Sequence, residues 1–285
     1  GINHNGSISL AKKMIKAAKI SGADVVKFQT HLVDYEMLPD RLGNKKASHL
    51  KGESLYNILK KCSFTKKQHI DLINYCKKQN VLFLSTPFCV EAVDLLSNIN
   101  VGAFKIGSGE TNNYHFVNYV LSKNKPTILS TGTSSHKNLL KLKKNIKYKK
   151  NNLIIMQCTS NYPTKYIDSN VGYLDDIQKL FKTNVGFSDH SSGNYASFAA
   201  VSKGAIVIER HFTLSRKLPG IDQSSSLEPN EFLELRVGIN SIIDSLGKFK
   251  KINEESKKVI SGFSHSLVSI SKIKKGEKLI KGKNI

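Results

Sequence analysis

The stretch Ala103-Phe104-Lys105-Ile106-Gly107-Ser108-Gly109-Glu110, followed by Tyr114 to Ser122 and closed by Thr127-Ile128-Leu129-Ser130, carries the organisation of the whole chain in one unit. A short apolar run ends in small and polar residues; an apolar stripe at helical spacing follows, and a second apolar run ends again in serine. Runs of this length bounded by glycine, proline or polar residues read as buried strands, and the stripe between them as a helix. Two strands joined through a helix pair in parallel, because a parallel pair needs a crossover of about this length.

The same unit recurs outward in both directions. Strands are predicted at Asp24 to Gln29, Val81 to Ser85, Ala103 to Ile106, Thr127 to Ser130, Leu153 to Gln157, Asn184 to Phe187 and Ala205 to Ile208. Helices are predicted at Leu10 to Ser21, Thr65 to Gln79, Cys89 to Asn98, Tyr114 to Ser122, Lys137 to Ile146, Leu174 to Phe181 and Tyr195 to Ser202. Glu228-Pro229-Asn230-Glu231 opens a further helix through Leu246, with proline at its first position. Strands apolar along most of their length suit a parallel sheet covered by helices. Counting Gly1-Ile2-Asn3 as the tail of another strand makes eight, the number that closes a TIM (β/α)8 barrel whose first strand is largely missing. A doubly wound dinucleotide fold is disfavoured, since Gly107-Ser108-Gly109 lacks the third glycine of that fingerprint. The connection from His31 to Ser63, with Tyr35, Pro39, Gly43, Asn44 and Gly52, is long enough to wall a substrate site. From Ser264 the pattern changes to strand-like pieces at Leu267 to Ile270 and Lys278 to Ile280. The expected domains are therefore 1–262, a barrel, and 263–285, the start of a second domain.

Composition narrows the partners. The 285 residues carry a formal charge of +22, yet only Arg41, Arg210, Arg216 and Arg236 are arginines, and the lysines lie along amphipathic stretches. Neither arginine forks for base edges nor basic grooves interleaved with aromatics are present, so nucleic acid is not the expected partner, although small anions are attracted. No apolar run approaches the ~20 residues of a membrane helix. Cys62, Cys76, Cys89 and Cys158 are widely spaced, without zinc spacing, which is consistent with a reducing cytoplasm. No export leader is seen, so the expected location is cytoplasmic.

In a barrel the active site lies at the carboxyl ends of the strands. Those ends hold Lys27 and Gln29; Ser85 and Thr86; Lys105, Ser108 and Glu110; Ser130, Thr131 and Gly132; Thr159, Ser160 and Tyr162; Ser188, Asp189 and His190; and Glu209 and His211. Lysines, hydroxyls and glycine turns suit a phosphate or carboxylate, whose oxygens need ammonium charge and N–H donors together. Ser108, Ser130 and Ser188 are equally well read as helix caps, whereas Lys27 and Lys105 are read as functional rather than as chains reaching from the barrel ends to water, because a lysine inside a closed barrel is costly unless paired. His190 and His211, with Asp189, Glu209 and Asp222 near in sequence, suggest a divalent metal. Imidazole and oxygen donors without thiolate suit Mn²⁺, Mg²⁺, Co²⁺ or Fe²⁺ better than structural zinc.

The motifs GINHNG (1–6), VVKFQTH (25–31), STPF (85–88), FKIGSGE (104–110), LSTG (129–132), CTSNYPT (158–164), GFSDH (186–190) and ERHFT (209–213) resemble the sialic acid (N-acetylneuraminate) synthase family, which includes the legionaminate and pseudaminate synthases. The resemblance runs from residue 1 to about 262; beyond it the chain looks like the start of that family's antifreeze-like (SAF) domain. It implies a cytoplasmic, homodimeric transferase of carbohydrate biosynthesis, condensing phosphoenolpyruvate with an N-acetylated mannosamine-type sugar to a nonulosonic acid and phosphate. By motif, Lys27, Gln29, Lys105, Ser108, Ser130 and Ser188 hold phosphoenolpyruvate; His190 and His211 bind Mn²⁺ (or Mg²⁺ or Co²⁺); Tyr162 and Asp222 face the sugar; Glu209, with Lys105 and Asp189, is catalytic beside the metal. The family's first-strand glutamate and second-domain arginine are not in this sequence, so truncation at both ends is expected, and Ser160 stands where sialic members often carry Asn. Two alternatives from the residues alone are a Schiff-base aldolase or lyase using Lys27 or Lys105, and a basic binding protein without catalysis.

Overall fold

A computed structural model describes residues 2–38, 53–247 and 252–285. Its centre is one sheet of seven parallel strands in sequential order: β1 (Val25–Thr30), β2 (Leu82–Pro87), β3 (Phe104–Ile106), β4 (Thr127–Ser130), β5 (Leu153–Cys158), β6 (Asn184–Asp189) and β7 (Val207–Arg210). Between and around them run α1 (Ile8–Ile20), α2 (Val33–Glu36), α3 (Leu55–Cys62), α4 (Lys66–Lys78), α5 (Val90–Asn98), α6 (Tyr114–Ser122), α7 (His136–Asn145), α8 (Leu174–Phe181), α9 (Tyr195–Ser202) and α10 (Pro229–Leu246). The sheet curls: Lys27 on β1 and Glu209 on β7, at opposite ends of the strand order, are only 2.8 Å apart. The result is a TIM-like half-barrel.

The core lies between the outer faces of the strands and the helices. Phe104, Ile106, Leu129, Ile155, Val185 and Phe187 from the strands meet Val93, Leu96, Val117, Val120, Leu142, Ile177 and Phe181 from the helices, all buried. Each such side chain contributes roughly 1.5–3 kcal/mol by leaving water. A second cluster, around Ile15, Phe28, Phe64 and Leu72, seats α1 and α4 on β1. Strand alternation then turns the residues between those apolar ones toward the lumen: Lys27 and Gln29 on β1, Lys105 on β3.

Two expectations change, and part of a third lies outside the described residues. Residues 2–6 are not a strand: Asn5 N–H bonds the Ile2 carbonyl (2.9 Å) and Ser7 N–H that of His4 (2.8 Å). Asn5 and Gly6 have φ of 49° and 77°, left-handed values that end extended structure. β6 and β7 each continue two residues past their predicted ends, to Asp189 and Arg210, which alters the site as described below. Of the long connection, Pro39, Gly43, Asn44 and Gly52 lie outside the described residues; its flanks are the short helices α2 and α3.

The chain divides into two compact units, Gly1–Leu246 and Gly247–Ile285. The second opens with α11 (Glu254–Phe263), which the expected boundary at 262 assigned to the barrel. Neither Leu267 to Ile270 nor Lys278 to Ile280 forms a strand; the segment is turns, closed by Ile270 N–H on the Asn284 carbonyl at 3.0 Å.

Candidate active site

The lumen face of β1 and β3 presents two ammonium groups to one carboxylate. Lys27 Nζ is 2.8 Å from Glu209 Oε1, and Lys105 Nζ is 3.3 Å from Glu209 Oε2. Lys105 also donates to Ser130 Oγ at 2.6 Å, and Ser188 Oγ lies 3.4 Å from Glu209 Oε1. Burial opposes charge on both partners. It lowers Lys105 to about 8, despite the pull of Glu209 the other way. It also pushes Glu209 up, but Lys105 and Lys27 together outweigh that and hold the carboxyl well below its ordinary range. A lysine in this setting is retained only with partners, which removes the reading of Lys105 as a chain reaching out to water.

The neighbouring loops are tied to this floor. Gly132 N–H donates to Ser108 Oγ at 3.0 Å, and Thr133 Oγ1 to the Ser108 carbonyl at 2.6 Å. A Cβ at Gly132 would run into Ser160 Oγ, and would sit 2.9 Å from Cys158 Sγ and 3.0 Å from Ser108 Oγ, so a side chain there would force these neighbours to shift. The cap reading of the serines fails, because α6 is capped by Asn113 and α7 by Ser135, each accepting from a first-turn N–H, and the N-cap position of α9 is Asn194. Ser108, Ser130 and Ser188 are thereby left to the lumen. Gln29 approaches His31 Nε2 at 3.4 Å, and His31 is itself bonded to Glu36 at 2.7 Å and stacked on Phe88, at the mouth.

Beside this two-lysine floor stand the two imidazoles. The rings of His190 and His211 are 5.3 Å apart; Tyr162 packs 4.3 Å from the first and 5.6 Å from the second. Asp222 Oδ2 is 3.7 Å from His211 Nδ1. Burial pushes His190 below its ordinary value; burial and the neighbouring His190 hold His211 well below, so both rings are neutral at pH 7. Burial raises the Asp222 carboxyl. The Nδ1 of His190 faces the Thr159 carbonyl at 2.8 Å, the usual support of a ligating imidazole, leaving Nε2 as donor to a cation. Among the described residues no three His, Cys, Asp or Glu side chains converge on one point. Neutral imidazoles with a backed Nδ1 suit a divalent ion whose remaining positions come from substrate and water.

One expected catalytic residue is elsewhere. Because β6 runs through Asp189, alternation sends Ser188 and His190 to the lumen and Asp189 outward, where it pairs with Arg210 at 2.6 Å. Ser188, His190, Glu209, His211 and Lys27 do line one cavity of ≈ 240 Å³ at the seam between β1 and β7, and Asp189 does not. Sequence reasoning gave Arg210 no role and overlooked the Thr159 carbonyl. Arg210 was legible as the alternate residue between Glu209 and His211; a backbone acceptor leaves no mark in residue type.

The chain is similar to several named proteins. N,N'-diacetyllegionaminic acid synthase of Campylobacter jejuni subsp. jejuni serotype O:2 is 39% identical over 288 residues, covering 97% of this chain and 85% of the relative. Pseudaminic acid synthase from the same organism is 34% identical, covering 96% and 81%. A solved structure, N-acetylneuraminic acid (sialic acid) synthetase from Leptospira borgpetersenii serovar Hardjo-bovis in complex with citrate, superposes with a TM-score of 0.80 at 32% identity, over 92% of this chain and 88% of that one. No described helix is long and apolar enough to cross a membrane. The NeuB family matches residues 14–251, and the chain belongs to that family of sialic and nonulosonic acid synthases.

Proposed function

We propose that the protein condenses phosphoenolpyruvate with an N-acetylated hexosamine-type sugar and water, yielding a nonulosonic acid and inorganic phosphate. The observation that carries this reading is the meeting of a two-lysine floor on Glu209 (Lys27, Lys105) with a pair of neutral imidazoles (His190, His211), where Lys27, Glu209 and both histidines line one cavity. The first suits a small, highly charged anion, the second an electrophile.

Lys27, Lys105, Ser108, Ser130 and Ser188, with Gln29, hold the phosphate and carboxylate of phosphoenolpyruvate and present its C3 toward the histidine side. Tyr162 and Asp222 border the sugar. His190 and His211 would hold Mn²⁺, with Mg²⁺ or Co²⁺ as substitutes, which would supply Lewis-acid polarisation of the aldehyde oxygen of the open-chain sugar. As C3 bonds to the aldehyde carbon, that oxygen takes a proton and positive charge develops at C2. Glu209, kept ionised by its two lysines, stabilises that charge and orients the water whose oxygen adds to C2. Loss of phosphate by cleavage of its C2–O bond leaves the keto acid. Asp189 acts at one remove from the chemistry. Residues 263–285 are assigned to the start of a SAF-type domain, and the assembly to a homodimer, on the family resemblance alone.

Phosphate release from phosphoenolpyruvate, measured with Mn²⁺ and each of N-acetylmannosamine and 2,4-diacetamido-2,4,6-trideoxyhexoses, tests the reading and selects the sugar. Oxygen-18 placed in the bridging position must appear in phosphate; its retention in the sugar acid sinks the cleavage step. The lowered Lys105 favours one second reading, an amine that forms a Schiff base. Borohydride with pyruvate traps an adduct on the chain in that case, and none in the first.

A further inference from the structure

Asp189 and Arg210 are each one residue before a lumen histidine, and they are register partners across β6 and β7. Their side chains form an ion pair, Arg210 NH1 to Asp189 Oδ2 at 2.6 Å, and each is only 1% exposed. Asp189 also accepts from Ser197 Oγ on α9 at 2.6 Å and from the backbone N–H of Ser191 at 2.8 Å. Arg210 NH2 donates to the Ser191 carbonyl at 2.7 Å. Ser191, the residue after His190, is therefore gripped at both backbone polar groups, its N–H by β6 and its carbonyl by β7. His190 is fixed on its other side through its carbonyl, which accepts from Thr164 N–H at 2.9 Å.

Stability alone does not account for such a pair. A buried ion pair is about as stabilising as an apolar pair of the same volume, and often less so; in some proteins what such a pair adds is a single permitted register. Slippage of β6 against β7 would move His190 relative to His211, since both leave their strands immediately beyond the pair. A guanidinium is suited to this task, because separate nitrogens of one planar group can meet the Asp189 carboxylate as a close charge contact and donate to the Ser191 carbonyl, which an ammonium cannot do in the same geometry.

We propose that Asp189 and Arg210 are positioning residues that set the spacing and aim of His190 and His211 for a divalent cation. The proposal rests on the reading of those histidines as the cation's holders. It assigns a function to the carboxylate that alternation removes from the cavity.

The test is binding of Mn²⁺ alone to the full chain by titration calorimetry, alongside thermal unfolding and the visible absorption of bound Co²⁺. In the paired variant Asp189→Leu with Arg210→Met, unfolding stays close to that of the wild type while Mn²⁺ affinity falls about 10- to 100-fold and the Co²⁺ bands shift. Should that variant fail to fold, Arg210→Lys keeps the charge pair and loses the fork; the same fall in affinity is expected with the fold retained. Wild-type affinity and an unchanged Co²⁺ spectrum in a folded variant overturn the positioning role and leave the histidine site standing. Absence of Mn²⁺ binding to the wild-type chain overturns the histidine site itself, and the proposal with it.

Discussion

Lys27 Nζ and Glu209 Oε1 lie 2.8 Å apart across the seam between the first and last strands of the sheet. They are separated by 182 residues, and no backbone pairing joins β7 to β1 among the described residues. The pair thus connects the two sheet edges through side chains, and it does so at the floor of the cavity, where Lys105 meets the same carboxylate. Curling of the sheet is what brings Lys27 to Glu209.

Glu209→Gln keeps the shape and removes the charge both lysines face. Lys105, wholly buried, then has no counter-charge. Breaking a buried pair from one side costs about 3–5 kcal/mol, and loss of one group that stabilises developing charge lowers kcat about 10²-fold or more. Urea unfolding and single-turnover phosphate release measure the two separately. A variant of wild-type kcat would remove Glu209 from the chemistry.

Lys105, lowered to about 8 from 10.5, gives a pH signature of known sign. Between those values the unfolded chain binds more protons than the folded one, so stability rises with pH through that window as the cost of burying the ammonium lapses. Anion affinity moves the other way, weakening as pH climbs past about 8 and the ammonium is lost. The dissociation constant of phosphoenolpyruvate, followed from pH 7 to 9.5, rises up to about tenfold per pH unit above 8. In Lys105→Met it is weak and flat over that range.

Gly132→Ala places a methyl group against Ser160, Cys158 and Ser108. Overpacking of this kind costs about 1–3 kcal/mol. Its functional effect exceeds its effect on stability, because Ser108 accepts from the Gly132 N–H and must shift. The expected result is a KM for phosphoenolpyruvate raised tenfold or more with modest loss of thermal stability, read from steady-state kinetics and calorimetry.

Chelation isolates the histidine half of the site. Treatment with EDTA abolishes phosphate release, and added Mn²⁺ restores it in the wild type but not in His190→Ala or His211→Ala. Binding of phosphoenolpyruvate, which falls to the lysine floor, persists in both variants to within a few-fold. Phosphate release that survives exhaustive chelation refutes the metal reading.

Most of the elements were legible from residue pattern. The helices from Tyr114 to Ser122, Leu174 to Phe181 and Tyr195 to Ser202 and the strand from Thr127 to Ser130 lie where the apolar periodicity put them. The same holds for the polar residues at strand ends, because a barrel concentrates them there whatever the chemistry. Errors cluster at boundaries. The two extra residues of β6 and β7 decide which side chains enter the lumen, and their apolar content falls off before the strands do, so hydrophobicity alone stops short.

The sequence by itself determined the parallel α/β architecture, the family, and the lysines, serines and two histidines at the strand ends, since periodicity and short motifs are local properties. Only the tertiary structure decided that Asp189 turns outward to Arg210 while Ser188 and His190 turn in, and that Lys27, Lys105 and Glu209 meet. The reason is geometric: strand alternation depends on where hydrogen bonding to the neighbouring strand ends, and the meeting of β1, β3 and β7 depends on the curl of the whole sheet. Neither is written in any one stretch of chain.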